Sequence, residues 1–290
     1  MSSSAIKPFR IAVDESVLAD LHSRLERTRW PSAIAVAGWD YGVDMNYLRT
    51  LVAYWRCNFD WRKQERQLNQ FDQFRTTIDG QCLHFMHIRS RHADATPLML
   101  VHGWPGSVVE FLDVIAPLVT PEEHLGSAAD AFHLVIPSLP GYGFSGPTEE
   151  RGWNPRRTAA AYVELMQGLG YGRYLAQGGD WGAFVVDEMA LLDPTHMVGL
   201  HTNLPVAPLA PQAALSTVEQ LDVADFMRWH AEESAYALLQ GTKPQTFGVA
   251  LEDSPAALLG LILEKVQAWS DNGLERTISR DRLLTNVMFY

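Results

Sequence analysis

Cysteine is nearly absent from this chain. Its 290 residues hold two, Cys57 and Cys82. Two isolated thiols make neither a disulfide framework nor a metal-type spacing, and they are expected to be reduced and buried in a cytoplasmic protein. Positive charge is scarce as well: 23 Lys and Arg stand against 34 Asp and Glu, for a net charge of −11. So acidic a chain has nothing with which to neutralise phosphates, which excludes nucleic acid and anionic membrane as partners. Long apolar runs are missing too. The longest uncharged stretch, Pro194 to Val218, is broken by Pro205, Pro208 and Pro211, so no membrane span is expected. Met1 to Pro8 has no apolar run, and no signal peptide is expected. What is present is ordinary for a globular protein: 47% apolar and 20% charged residues. The length fits one large domain, or a core carrying a subdomain.

The first seventy or so residues read as helical. Asp14 is a good N-cap, with Val17, Leu18, Leu21 and Leu25 following at helical spacing; Met45 to Trp55 repeats the pattern. Then the period changes. Phe74 to Asp79 and Cys82 to Ile88 flank Asp79-Gly80, a hairpin signal. Beyond it, apolar strands at Pro97–Val101, Phe132–Ile136, Tyr174–Gln177 and Met197–His201 alternate with helices at Val108–Leu118, Thr158–Leu169 and Ala183–Leu192. Such alternation predicts right-handed crossovers and a mostly parallel α/β sheet. After Pro205-Val-Ala-Pro-Leu-Ala-Pro only helices are expected: Val218–Leu239, Ser254–Trp269, with an exit at Asn272-Gly273, and Ser279–Phe289. The expected division is an N-terminal extension with opening hairpin over 1–92, an α/β core over 93–204 and a helical cap over 205–290.

Gly141-Tyr-Gly143-Phe-Ser-Gly146 matches a dinucleotide fingerprint. No helix follows it to receive a pyrophosphate, so nucleotide is not expected there. His84 and His87, three apart on a strand, point to opposite faces and cannot share a metal; His196 and His201 have the same problem. No metal or other cofactor is expected.

Two loops carry more. In Gln177-Gly-Gly-Asp180-Trp-Gly182 a strand runs into small residues, an aspartate and a helix. That is the nucleophile-elbow pattern with Asp in place of Ser. Asp180 would stand above the sheet at a helix N-terminus, suited to attack on an sp³ carbon with formation of an alkyl ester. A plain helix N-cap is the alternative for Asp180. His102-Gly-Trp-Pro-Gly-Ser107, also between a strand and a helix, can offer a backbone N–H to the same pocket.

With Ser138-Leu-Pro-Gly-Tyr-Gly-Phe-Ser145, these loops resemble the epoxide hydrolases of the α/β-hydrolase fold, in the microsomal-like branch. Phe9 to Arg89 resembles that branch's N-terminal extension. Glu233-Ser-Ala-Tyr236, Thr242 to Thr246, Asp253 to Leu258 and Leu283 to Val287 resemble its cap. The resemblance implies that Asp180 opens a small apolar epoxide and that Tyr236 hydrogen-bonds the epoxide oxygen. It implies that the amides of Trp104 and Trp181 hold the oxyanion of ester hydrolysis, and that Trp104, Pro105, Phe144 and Trp181 line the substrate pocket. The implied role is detoxification. Family members continue into further core strands that carry a second tyrosine, an acidic residue and the histidine that activates water. The chain is therefore expected to be a truncated member with an exposed strand edge, prone to self-association. Of the histidines after Asp180, namely His196, His201 and His230, none is expected to be a base. Ester hydrolysis is then expected to be slower by on the order of 10²–10⁴-fold. A haloalkane-dehalogenase-like hydrolase and a non-catalytic apolar-ligand binder are the alternatives.

Overall fold

Three aspartates start the first three helices. Asp14 accepts from the Ser16 amide, Asp44 from Asn46 and Tyr47, and Asp60 from Lys63, each satisfying N–H groups that a helix start leaves free. These helices are α1 (Glu15–Glu26), α2 (Met45–Cys57) and α3 (Trp61–Leu68), preceded by a short strand β1 (Lys7–Phe9). The structure, a computed structural model, describes residues 5–34, 36–205, 215–271 and 273–290. The proline-rich end of the alternation (206–211) and the exit residue Asn272 lie outside the described residues.

The hairpin forms as its turn dictates. Asp79 and Gly80 both take positive φ, 50° and 77°, which matches a two-residue turn to the twist of its strands. It joins β2 (Gln73–Ile78) to β3 (Gln81–Ile88). There follow β4 (Thr96–Val101), a 3₁₀ turn at Val108–Phe111, α4 (Leu112–Val119), β5 (Phe132–Pro137), α5 (Pro155–Gly168), β6 (Tyr174–Gly178), α6 (Trp181–Leu192) and β7 (Met197–Thr202). Strand order is β1-β2-β3-β5-β4-β6-β7. β5, β4, β6 and β7 run parallel, and β1 to β3 form an antiparallel wing.

Helices cover both faces. Tyr162, Met166, Val185 and Met189 from α5 and α6 pack on Phe85, Met99, Val101 and Val135. On the other face Val109, Ile115, Trp61 and Leu68 pack on Met86, Leu100, Leu134 and Ile136. The tail comprises α7 (Thr217–Glu233), α8 (Ala235–Thr242), α9 (Pro244–Asp253), α10 (Pro255–Ala268), α11 (Leu274–Thr277) and α12 (Arg280–Val287). It divides in two. α7 to α9 have no buried residue, whereas Leu259, Ile262, Leu263, Leu283 and Leu284 of α10 and α12 share one core with Leu25, Leu48, Leu51 and Trp55 of α1 and α2.

Three expectations are corrected. The helix expected over Val218–Leu239 breaks at Ser234, whose hydroxyl bonds back to the His230 carbonyl and competes with the ladder. Asn154 with Pro155 opens α5, three residues before the expected start. Cys57 is exposed and Cys82 only half-buried, because Cys57 ends α2 away from the face that buries Leu48, Leu51 and Trp55. Among the described residues β7 pairs with one neighbour, β6. Leu191, Val198 and Leu200 are exposed around it, and an apolar groove of about 610 Å³ lined by Leu98, Leu100, Phe111, Leu175 and Leu200 crosses the sheet beside it.

His84 and His102 are fully buried within this core, and burial pushes them down to about 3 and about 4 respectively. The unfolded chain binds their protons at a higher pH than the folded one, so stability rises with pH between the two values and falls as pH drops below about 6.5. Between pH 7.5 and pH 5 each histidine is expected to remove about 2 kcal/mol. Glu110, pushed up to about 8, opposes the histidines over the same range, so urea midpoints at the two pH values are compared in Glu110→Gln, where equal midpoints would refute the expectation.

Candidate active site

β6 runs directly into Gly178-Gly179-Asp180, and α6 begins at the next residue. Asp180 takes φ 50°, ψ −126°, a conformation that only an enforced turn imposes on a side-chain-bearing residue. The turn closes because its neighbours have no Cβ. One added at Gly178 would sit 2.2 Å from the Gly182 carbonyl oxygen, and one at Gly182 would sit 2.0 Å from that of Val101. One at Gly103 would meet the Asp180 carboxyl at 2.3 Å.

The Asp180 side chain caps no amide of α6, so the N-cap alternative fails. Instead the Trp104 amide donates to Oδ1 at 2.8 Å. The Trp104–Pro105 peptide is cis. No bond from the Trp181 amide to the carboxylate occurs among the described residues, and the half-exposed Trp181 ring packs on Phe184. The Pro105 carbonyl accepts from Asn286 Nδ2 at 2.6 Å, and Ser107 Oγ donates to Asn286 Oδ1 at 2.7 Å, so α12 clamps the loop. From the other side His102 accepts from the Leu139 amide through Nε2 (3.1 Å) and donates from Nδ1 to the Gly103 carbonyl (3.0 Å). Kept neutral by burial, it ties the two loops above the sheet together.

Tyr236 enters from the helical tail. The break at Ser234 places it in the first turn of α8, where its ring stacks on Trp104 (4.7 Å, 14° between planes) and meets the edge of Trp269 at 5.6 Å. Burial and the charge of Asp180 hold its phenol above the usual range. Tyr142 faces the same carboxylate, and burial with the same charge pushes it up to about 12. The Tyr290 hydroxyl donates to the Gly106 carbonyl at 2.7 Å. Glu110 opens to solvent on one side, but the protein around it and the Asp180 charge push its carboxyl up to about 8. Between Trp181 and Tyr142 lies a cleft of about 300 Å³, walled by Leu139, Pro140 and Trp153.

Phe144, expected in the pocket, lies elsewhere. Its ring packs among Phe9, His84 and Phe289 at 5.2–5.6 Å, as part of the sheet core. The turn around Gly141 and Gly143, with φ 82° and 51°, sends Phe144 inward and Tyr142 toward Asp180. Among the later histidines, His196 pairs with Asp193 (2.5 Å) beyond the far end of α6, His201 lines the groove beside β7, and His230 lies beside Phe226 on α7. None bonds to Asp180 among the described residues.

The family profile described as "Epoxide hydrolase N terminus" matches residues 6–111, and that described as "alpha/beta hydrolase fold" matches 96–279. A putative epoxide hydrolase of Stigmatella aurantiaca is 47% identical over 98% of this chain and 66% of its own length. Epoxide hydrolase 1 of the rabbit, Oryctolagus cuniculus, is 36% identical over 100% of this chain and 70% of its own. The chain belongs to the epoxide hydrolase family. The solved structure of juvenile hormone epoxide hydrolase from the silkworm Bombyx mori superposes with a TM-score of 0.90 at 32% identity, over 99% of this chain and 73% of that one. An epoxide hydrolase of Aspergillus niger gives 0.85 at 34% identity, over 99% of this chain and 74% of that one. The chain thus spans about two thirds to three quarters of the length of these relatives. Its fold is the α/β-hydrolase fold of that family.

Sequence reading missed several groups of this candidate site: His102, Glu110, Tyr142 and Trp269. His102 and Tyr142 stand inside the two loop motifs, so their signal was position. Glu110 and Trp269 carried none, because only the packing of α10 and the 3₁₀ turn brings them to the loops.

Proposed function

We propose that this chain opens an apolar epoxide by nucleophilic attack of Asp180. The observation that carries the reading is that Trp104 links the two groups: its amide donates to Asp180 Oδ1 and its ring stacks on Tyr236. With Oδ1 engaged, Oδ2 is the oxygen left to react. It forms a bond to a ring carbon, the carbon–oxygen bond of the epoxide breaks, and the electron pair goes to the departing oxygen. That oxygen is a poor leaving group as alkoxide, so it needs a proton, which the Tyr236 phenol supplies. The product is a hydroxyalkyl ester of Asp180. Trp104, Trp181 and Tyr236 provide the apolar surroundings for the substrate. Hydrolysis of the ester would place negative charge on Oδ1, where the Trp104 amide already points; the Trp181 amide is the candidate second donor. Within these residues no histidine reaches the ester, so water attack is the slow half.

Tyr236 separates this reading from halide displacement, since halide leaves without a proton. Tyr236→Phe is expected to slow epoxide opening by roughly 10²-fold, read as the rate of ester formation by intact mass. The phenol is held protonated well past neutrality, so its own titration should leave the parent rate unchanged from pH 7 to pH 9, and any change in that window belongs to Glu110, which is pushed up to about 8 beside Asp180. An unchanged rate in Tyr236→Phe would remove the phenol from the mechanism.

A further inference from the structure

Lys265, on α10, is 5% exposed, an unusual place for an ammonium. Its Nζ lies 2.8 Å from Glu233 Oε2, 3.2 Å from the Glu233 carbonyl and 3.0 Å from Glu264 Oε2. Glu233 is the last residue of α7, so the charge sits at a helix C-terminus, where a cation is favoured. The same Nζ lies 5.2 Å from the centre of the Tyr236 ring and 6.0 Å from that of Trp269. The ammonium therefore joins the break that presents Tyr236 to the aromatic cluster that receives it.

Stability alone does not account for this arrangement. A buried ion pair is often no better than apolar residues of similar volume, because desolvation offsets the attraction. A methionine here could fill the same space against two aromatic rings. What an apolar residue could not do is place positive charge beside a phenol that loses or shares its proton. Resting on the reading of Tyr236 as proton donor, we propose that Lys265 is a positioning residue for Tyr236: it anchors the α7–α8 break through Glu233 and makes the phenol a stronger donor, with Glu264 opposing it.

The charged groups that face Tyr236 are Asp180 from the elbow before α6 and Lys265 and Glu264 from α10. Asp180 and Glu264 favour the protonated phenol, and Lys265 favours its loss of the proton. Burial adds to the first pair. Removing Lys265 and removing the Glu264 charge must then act in opposite directions, which a merely structural role would not produce.

The test needs no substrate. Tyrosinate absorbance is titrated in the 290-residue chain and in each variant, with the matching Tyr236→Phe protein subtracted to isolate Tyr236. Lys265→Met should move the midpoint up by about one pH unit, the scale of one charge at this distance. Lys265→Arg should keep it near the parent, and Glu264→Gln should move it down. Midpoints that stay put in both Lys265→Met and Glu264→Gln, or move the same way, overturn the proposal. If Lys265→Met does not fold, Lys265→Gln is titrated in its place: an upward shift supports the proposal, and no shift or a downward one overturns it. In parallel, ester formation with an aryl epoxide should fall about tenfold in Lys265→Met and recover in Lys265→Arg. Titration shifts as expected with no ester in the parent would sink the epoxide reading while leaving the Lys265–Tyr236 coupling standing.

Discussion

Incubated with a small aryl epoxide, the 290-residue chain should gain the mass of one whole epoxide, and Asp180→Asn should gain none. Ring opening is an addition: the ester keeps every atom of the substrate, because the leaving oxygen stays attached through carbon. A dehalogenase-type attack on a chloroalkane would instead add the alkyl group and release halide. The two masses thus separate the chemistries at the same nucleophile. Removing a nucleophile from a hydrolase typically reduces the rate by about 10⁴-fold or more, so the Asn variant should be blank on any practical timescale. Asparagine tolerates positive φ as aspartate does, so the turn survives the change. Its amide is too weak a nucleophile to replace the carboxylate. The adduct should map to the peptide containing Asp180. Consumption of epoxide by Asp180→Asn at the parent rate would refute the mechanism. Saturable epoxide binding with no gain in mass, in parent and variant alike, would mean that the aromatic pocket holds ligand without converting it.

The α/β core was legible because its signals are local. Hydrophobic period, the Asp79-Gly80 turn and the strand-Gly-Gly-Asp-helix pattern each act within a few residues, and the strand positions at Phe132 and Tyr174 match the sheet. The elbow at Asp180 and its neighbouring Trp104 loop were legible as local geometry for the same reason: a tight turn admits few residues. What escaped was set by distant contacts or by competition. The hydroxyl of Ser234 wins against helix continuation, which no propensity count registers, and that break decides where Tyr236 lies. Phe144 and Tyr142 are two residues apart in one loop, where Gly141 and Gly143 both take positive φ, and Phe144 packs in the sheet core while Tyr142 feels the charge of Asp180. The packing of α10 and α12 on α1 and α2 joins residues more than 200 positions apart. The tail is therefore part of the core in one half and separate from it in the other, a division no composition shift marks.

The second large effect lies in the elbow itself, at Gly182. A Cβ there would lie 2.0 Å from the Val101 carbonyl oxygen and 2.9 Å from that of His102. Both obstacles are backbone, in the strand and loop that carry the Trp104 amide, so no side chain can swing aside. Either α6 moves off β4, or the carbonyl leaves its place and the loop shifts with it. Overpacking of this kind typically costs up to about 3 kcal/mol, and more where backbone must move. At about 2–4 °C per kcal/mol for a chain somewhat smaller than this one, Gly182→Ala should melt roughly 6–12 °C below the parent. Because the displaced segment holds Oδ1 of Asp180, ester formation should fall with stability rather than survive it. Gly168→Ala is the control: it ends α5, nothing lies within 4 Å of its added Cβ, and its φ is not positive. It should melt at or slightly above the parent, since alanine restricts the unfolded chain. A Gly182→Ala protein that melts with the parent and forms ester at the parent rate would show that the elbow has slack. The strained conformation of Asp180 would then owe nothing to close packing around it.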